Sequence, residues 1–256
     1  MQILRSETIE QRARRLSSSY KVIKPEGVGP FPTIIMFHGC GRADEPQMPY
    51  AHAALVAGFA SIIIDSFAPR KINRVEAASS VCTGLQLWGR ERAGDLAAAM
   101  HWAGTQEWAD KGNIHALGWS HGGWTIMDAL SLEDKIGEYA KIRGLSTTVF
   151  ETLKSAFLVY PWCGPGSFSF MRGWKRRIPA HMIICGKDMV VGDVLPQATA
   201  KKLIENGENL EVSFFENATH SFDEPDSIHP AQKHDAELTA KAIQLFIDFV
   251  RKNSDN

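Results

Sequence analysis

The chain predicts a doubly wound α/β fold, a mostly parallel sheet with helices on both faces. Short β-rich apolar runs alternate with longer segments of helical periodicity from end to end. Several of the runs, such as Thr33-Ile34-Ile35-Met36-Phe37 and Ser61-Ile62-Ile63-Ile64, are apolar throughout. Strands covered on both faces read this way. Strands that alternate with helices also call for right-handed crossovers between parallel neighbours. No repeat, low-complexity tract or linker breaks the pattern, so residues 1–256 are expected to form one domain. Residues 1–19 are expected to be a mobile or peripheral N-terminal segment.

In order, strands are expected at Tyr20–Lys24, Pro32–Phe37, Phe59–Ile64, Asn113–Gly118, Ala156–Tyr160, Ala180–Cys185 and Leu210–Phe215. The last alternates apolar and polar residues, as an edge strand does. Helices are expected at Pro49–Gly58, Arg90–Trp102, from Trp124 to Leu130, and at Gly192–Glu205. A final helix over Ala231–Arg251 carries Ala236, Ala240, Ile243, Ile247 and Val250 on one stripe. Lys71–Gln86 and Pro161–Arg177 are long loops, a length usually kept for function.

The chain is 44% apolar and 22% charged, with formal net charge −1. This is an ordinary globular composition, large enough to bury a core without metal or disulfide staples. The charge balance points away from nucleic acid, and the cluster Arg172, Lys175, Arg176 and Arg177 reads as a solvated loop rather than an anion site. Cys40, Cys82, Cys163 and Cys185 are scattered without a CxxC pair, which fits reduced thiols in a cytoplasmic protein. No run is long and apolar enough for a membrane helix, and the Arg-rich start carries no secretory signal. No histidines form an HxxxH or HxH pair suited to zinc, so no metal or cofactor is expected. Oligomeric state is not legible.

Gly118-Trp119-Ser120-His121-Gly122 is a G-x-S-x-G pattern between a strand and a helix. A sharp turn there lifts the serine hydroxyl out of the sheet, and flanking glycines leave room for it. The helix that follows aims free N–H groups at a developing oxyanion. An acid and a histidine should come later in the chain, at the carboxyl ends of strands. Asp188, in Gly186-Lys187-Asp188 after the strand ending at Cys185, is the acid candidate; Asp193 competes but opens the next helix. His220, after the strand ending at Phe215, is the histidine candidate over His229 and His234. The loop His38-Gly39-Cys40-Gly41 follows the strand ending at Phe37, where a second oxyanion donor belongs. The donors assigned are the backbone amides of His121 and Cys40, with Gly41 as the alternative to Cys40. His38 reads as structural, and the Cys40 thiol as a poor rival to Ser120.

With these residues the chain resembles the dienelactone hydrolase family of α/β-hydrolases, from about Tyr20 onward. The block Asp65-Ser66-Phe67-Ala68-Pro69-Arg70 and the run Tyr160-Pro161-Trp162-Cys163 favour this branch. The resemblance implies a compact α/β-hydrolase fold without a large cap domain. The namesake enzymes carry cysteine at the elbow; Ser120 resembles the family's serine-bearing members. It also implies that Ser66, Phe67 and Arg70 border the pocket, with Arg70 holding either an anionic group or a structural ion pair. Trp162 and Phe168 are further pocket candidates, and Trp124 reads as core. The expected function is a serine hydrolase that cleaves a small-molecule ester, lactone or thioester through an acyl-enzyme. The alternatives are a small peptidase of prolyl-oligopeptidase type and a non-catalytic binding protein that kept the fold.

Overall fold

The structure, a computed structural model, describes residues 6–41, 43, 46–225, 227 and 231–254. Its fourteen principal elements are α1 (Ile9–Ser17), β1 (Tyr20–Ile23), β2 (Phe31–Phe37), α2 (Gln47–Val56), β3 (Ala60–Ile64), α3 (Gly89–Ala103), β4 (Ala109–Trp119), α4 (His121–Leu132), β5 (Leu153–Val159), α5 (Phe168–Arg172), β6 (Ala180–Cys185), α6 (Val194–Glu205), β7 (Leu210–Phe215) and α7 (Ala236–Lys252). The strands form one seven-stranded sheet in the order β1-β3-β2-β4-β5-β6-β7. β1 runs antiparallel to β3, and every other pairing is parallel. The expected strands and main helices are present, and the sheet is doubly wound without a large cap.

The continuous apolar runs serve two cores. In β2, Ile35 and Phe37 join a cluster with α3 and α4, while Ile34 and Met36 join a second cluster with α2 and α7. Alternate side chains of a strand point to opposite faces, so a strand covered on both sides has no polar face to show. β7 differs, with Glu211 and Val212 exposed, as an edge strand can be.

The described part of residues 1–19 is docked rather than peripheral. Thr8 caps α1 in a capping box with Gln11, and Leu16 is fully buried. Arg12 is also fully buried and donates from Nη1 to Asp95 Oδ1 at 2.9 Å, and from Nη2 to the Ala140 carbonyl at 2.7 Å. The run before Tyr20 is polar by composition, which hid this burial. A buried arginine matched to a buried aspartate leaves no apolar signal in the sequence. Glu7–Thr8 also pairs with Ile142–Arg143 as a small parallel ladder.

The chain runs from β2 to β3 on one side, then returns to place β4 on the other side of β2. The carboxyl ends of β2 and β4 therefore flank a switch point in strand order, where open α/β sheets build sites. No described helix is long and apolar enough to cross a membrane.

Candidate active site

Ser120 stands at the turn from β4 into α4 with φ 49° and ψ −113°, a strained conformation for a residue with a side chain. Close backbone contact holds it. A Cβ on Gly122 would overlap the Phe37 carbonyl oxygen, and one on Gly118 would lie 2.6 Å from the Gly122 backbone. The two glycines thus permit α4 to start against β2, and the turn has no room for larger residues.

His220 and Asp188 converge on Ser120. His220 Nε2 lies 3.0 Å from Ser120 Oγ, and His220 Nδ1 lies 2.7 Å from Asp188 Oδ2. Asp188 Oδ1 accepts from the amides of Val190 and Val191 at 2.8 and 2.9 Å, which fixes the carboxylate plane. With Nδ1–H donated to Asp188, Nε2 is left to accept from the serine hydroxyl. The described rivals, Asp193 and His234, are not among the residues that line the cavity beside Ser120. Asp193 is the N-cap residue of α6, and His234 is exposed. His229 lies outside the described residues.

The loop after β2 packs on the serine: a Cβ on Gly39 would lie 3.2 Å from Ser120 Cβ. His38 is fully buried and structural. Its Nδ1 donates to the Gly39 carbonyl at 2.6 Å, and its Nε2 accepts from the Ser66 amide at 3.3 Å. Beneath lies Arg92 of α3, fully buried. Its Nη1 donates to the His38 carbonyl at 2.8 Å and to His121 Nδ1 at 3.1 Å; its Nε donates to Ser66 Oγ at 2.9 Å. His121 Nε2 then donates to the Leu87 carbonyl at 2.8 Å. Burial, and then the Arg92 charge, push the His121 imidazole down to about 3, and the same two causes hold His38 well below the usual histidine range. Both rings are therefore neutral, fixed struts.

Three of the residues expected at the pocket lie instead in this layer beneath the loop. Ser66 is fully buried against Arg92; Phe67 packs edge-on to His38 at 4.5 Å. Arg70 donates to both Asp95 oxygens at 2.8 Å and to the Ser66 carbonyl at 2.7 Å. It takes the structural ion-pair role of the two considered for it. Burial alone would raise the Asp95 pKa, but the Arg70 and Arg12 guanidiniums hold the carboxyl well below the usual range. Trp162 does line the cavity beside Ser120. The loop cations pair off, Lys175 with Asp134 and Arg176 with Glu133, which suits a solvated loop.

The thiol expectation needs correction at one pair. Cys40 and Cys82 form a disulfide with Cα atoms 5.8 Å apart, while Cys163 and Cys185 are free and buried. The partners are 42 residues apart in sequence and meet because the excursion after β3 folds back over the loop after β2. Spacing carries no trace of such a contact.

A second carboxylate was also missed. Asp223, buried, accepts from Tyr160 Oη at 2.5 Å, Trp119 Nε1 at 2.8 Å and Tyr50 Oη at 2.9 Å. Burial raises its pKa, opposed by these three donors. Through them it holds Trp119, the residue before Ser120, and the Tyr160 ring, whose centroid lies 4.6 Å from that of His220 with the planes tilted at 54°.

Asp128 of α4 accepts the Phe168 amide at 2.8 Å, and Phe168, expected at the pocket, packs into the core instead. Burial raises the Asp128 pKa to about 8. A carboxyl raised in the folded state stabilises fully below its unfolded pKa and loses that stability as pH rises through the folded value. Relative to Asp128→Asn, the wild type should therefore lose about 1.4 kcal/mol per pH unit between about pH 4 and 8. Urea unfolding of both proteins across that range checks this; a pH-independent difference would refute it.

The cavity beside Ser120 has a volume of 830 Å³. Its lining includes Trp88, Trp124, Trp162, Tyr160, Val190 and Val191. The excursion after β3 and the loop after β5, neither placeable from sequence, both contribute to it. Among the described residues no group of three or more His, Cys, Asp or Glu could hold a metal ion.

The dienelactone hydrolase family model matches residues 20–254. No curated protein sequence matches. Among solved structures, Thermogutta terrifontis esterase 2 phosphoramylated by tabun is 15% identical with a TM-score of 0.68, covering 91% of this chain and 88% of that one. The same esterase with propionate bound gives 16% identity and a TM-score of 0.65, with the same coverage. A candidate dienelactone hydrolase from Klebsiella pneumoniae subsp. pneumoniae MGH 78578 gives 14% and 0.65, covering 91% of this chain and 92% of that one. At these identities the likeness is one of fold.

Proposed function

The chain belongs to the dienelactone hydrolase family and is a carboxylic ester hydrolase, and from that premise we propose that it cleaves small-molecule esters, lactones or thioesters through an acyl-enzyme on Ser120. What carries the reading is the hydrogen-bonded series from Ser120 Oγ to His220 Nε2 at 3.0 Å and from His220 Nδ1 to Asp188 at 2.7 Å.

His220 takes the Ser120 proton as Oγ attacks the substrate carbonyl. Asp188 holds the imidazole in the required tautomer and balances its charge as it becomes imidazolium. The tetrahedral oxyanion lies on the amides of His121 and Cys40, each such donor contributing about 3–4 kcal/mol to the transition state. Collapse breaks the bond to the leaving group, which takes the proton from His220. A water then loses a proton to His220, attacks the acyl-enzyme, and releases the acid and Ser120. A serine here, where the family's namesakes carry cysteine, suits ordinary esters and argues against dienelactone itself.

Thermogutta terrifontis esterase 2 is phosphorylated by paraoxon and phosphonylated by sarin, which suggests the matching probe. Incubation with a fluorophosphonate should add one adduct per chain, located by mass spectrometry on Ser120. A folded protein that stays unlabelled would reject Ser120 as the nucleophile and the acyl-enzyme mechanism with it.

A further inference from the structure

We propose that the tryptophan wall beside Ser120 is a subsite for an aromatic acyl group, so that the preferred esters are those of aryl-bearing carboxylic acids. This rests on Ser120 being the nucleophile.

The wall is tied to the serine itself. The amides of Trp124 and Trp162 both donate to the Ser120 carbonyl, at 3.0 and 3.3 Å. Trp88 completes it, its ring 6.1 Å from that of Trp124. All three line the cavity. Each ring sits in a slot made by a glycine from another position. A Cβ on Gly89 would lie 2.6 Å from Trp124, and one on Gly166 would lie 2.6 Å from Trp88. A Cβ on Gly164 would overlap the Trp162 ring. Behind Trp88, Arg90 stacks at 4.0 Å and also faces Tyr139 and Phe168. The rings are thus held from behind by backbone and a cation while the 830 Å³ beside them stays open. Packing alone would not require three large rings to border a cavity. Rigid aromatic surfaces favour another ring, stacked or edge-on.

The chemistry at Ser120 assigns the ring to the acyl side. The leaving oxygen must receive its proton from His220 Nε2, so the leaving group lies toward His220. Tyr160 packs at a tilt against that histidine, and the amides of Val190 and Val191 hold Asp188 behind it. The acyl group then takes the remaining side of the cavity, where Trp88, Trp124 and Trp162 form the lining.

The test uses p-nitrophenyl esters, which keep the leaving group constant, with each rate divided by that ester's own hydroxide hydrolysis. The kcat/KM for the 3-phenylpropanoate should exceed that for the hexanoate by at least about tenfold. Trp88→Leu and Trp162→Leu should each shrink that ratio by about threefold or more. A second measurement needs no variant: free 3-phenylpropanoate should protect wild-type Ser120 from fluorophosphonate at about one tenth the concentration of hexanoate. Equal ester rates with equal protection, or a ratio that survives in both folded variants, would overturn the subsite. So would an aromatic preference that follows benzyl alcohol rather than the acid. Failure of the fluorophosphonate to label Ser120 in the unprotected protein is a different result, and it rejects the nucleophile rather than the subsite.

Discussion

Ser120→Ala should lower kcat/KM for an activated ester by about 10⁴- to 10⁶-fold, and Ser120→Ala/His220→Ala should be no worse than the single variant. The non-additivity follows from the geometry. His220 Nε2 has its partner at Ser120 Oγ, 3.0 Å away, and without that oxygen the base has no proton to take. Without the base the hydroxyl is as weak a nucleophile as any alcohol. Asp188→Asn should cost somewhat less, about 10⁴-fold, because it leaves both reacting groups present and disturbs the tautomer. The amides of Val190 and Val191 would still hold the residue in place at Oδ1. Steady-state kinetics on folded variants, with titration by the fluorophosphonate to exclude wild-type contamination, checks all three. Additive losses, or Ser120→Ala retaining more than about one per cent of activity, would show that another group attacks.

The parts of this site that were legible before the structure share one property: their chemistry is local in sequence. The elbow needs glycines at fixed offsets from Ser120, the acid follows a strand that reads apolar, and the histidine follows one that alternates as an edge strand does. The loop assigned to the oxyanion is marked by the strand end at Phe37 that precedes it. What stayed hidden depends on contacts across the fold. Asp223 leaves no sequence signal because three donors from β4, the residue after β5 and α2 define it, and none is near in sequence. The Cys40–Cys82 pair is hidden for the same reason. Arg70 reads equally as an anion site or an ion pair until Asp95 is seen against it. The docking of the N-terminal helix is hidden most fully, since Arg12 is as buried as Leu16 yet reads as surface.

Arg92→Met should have the second large effect, destabilising the fold by about 3–5 kcal/mol and lowering kcat of the folded variant by about 10- to 100-fold. One guanidinium spans both backbone segments assigned to the oxyanion. It donates to the His38 carbonyl in the loop after β2, and to the His121 side chain, whose backbone amide opens α4. Without it, the His38 carbonyl, Ser66 Oγ and His121 Nδ1 are left buried with acceptors unmet, each costing about 1–3 kcal/mol. Relief of burying Arg92 itself, a burial that pushes the guanidinium down to about 9, offsets part of that loss. Arg92→Lys should recover little, since one ammonium cannot reproduce the fork that reaches Ser66, His38 and His121 together. The catalytic part separates from the structural part by what each variant binds. If Arg92 preorganises the oxyanion donors, affinity for a trifluoromethyl ketone, which mimics the tetrahedral adduct, should fall in parallel with kcat/KM. Affinity for the carboxylic acid product should change much less, because the ground state develops no oxyanion. Equal losses for ketone and acid would mean that Arg92 shapes the pocket as a whole, and an unchanged kcat in the folded variant would mean that it only supports the core.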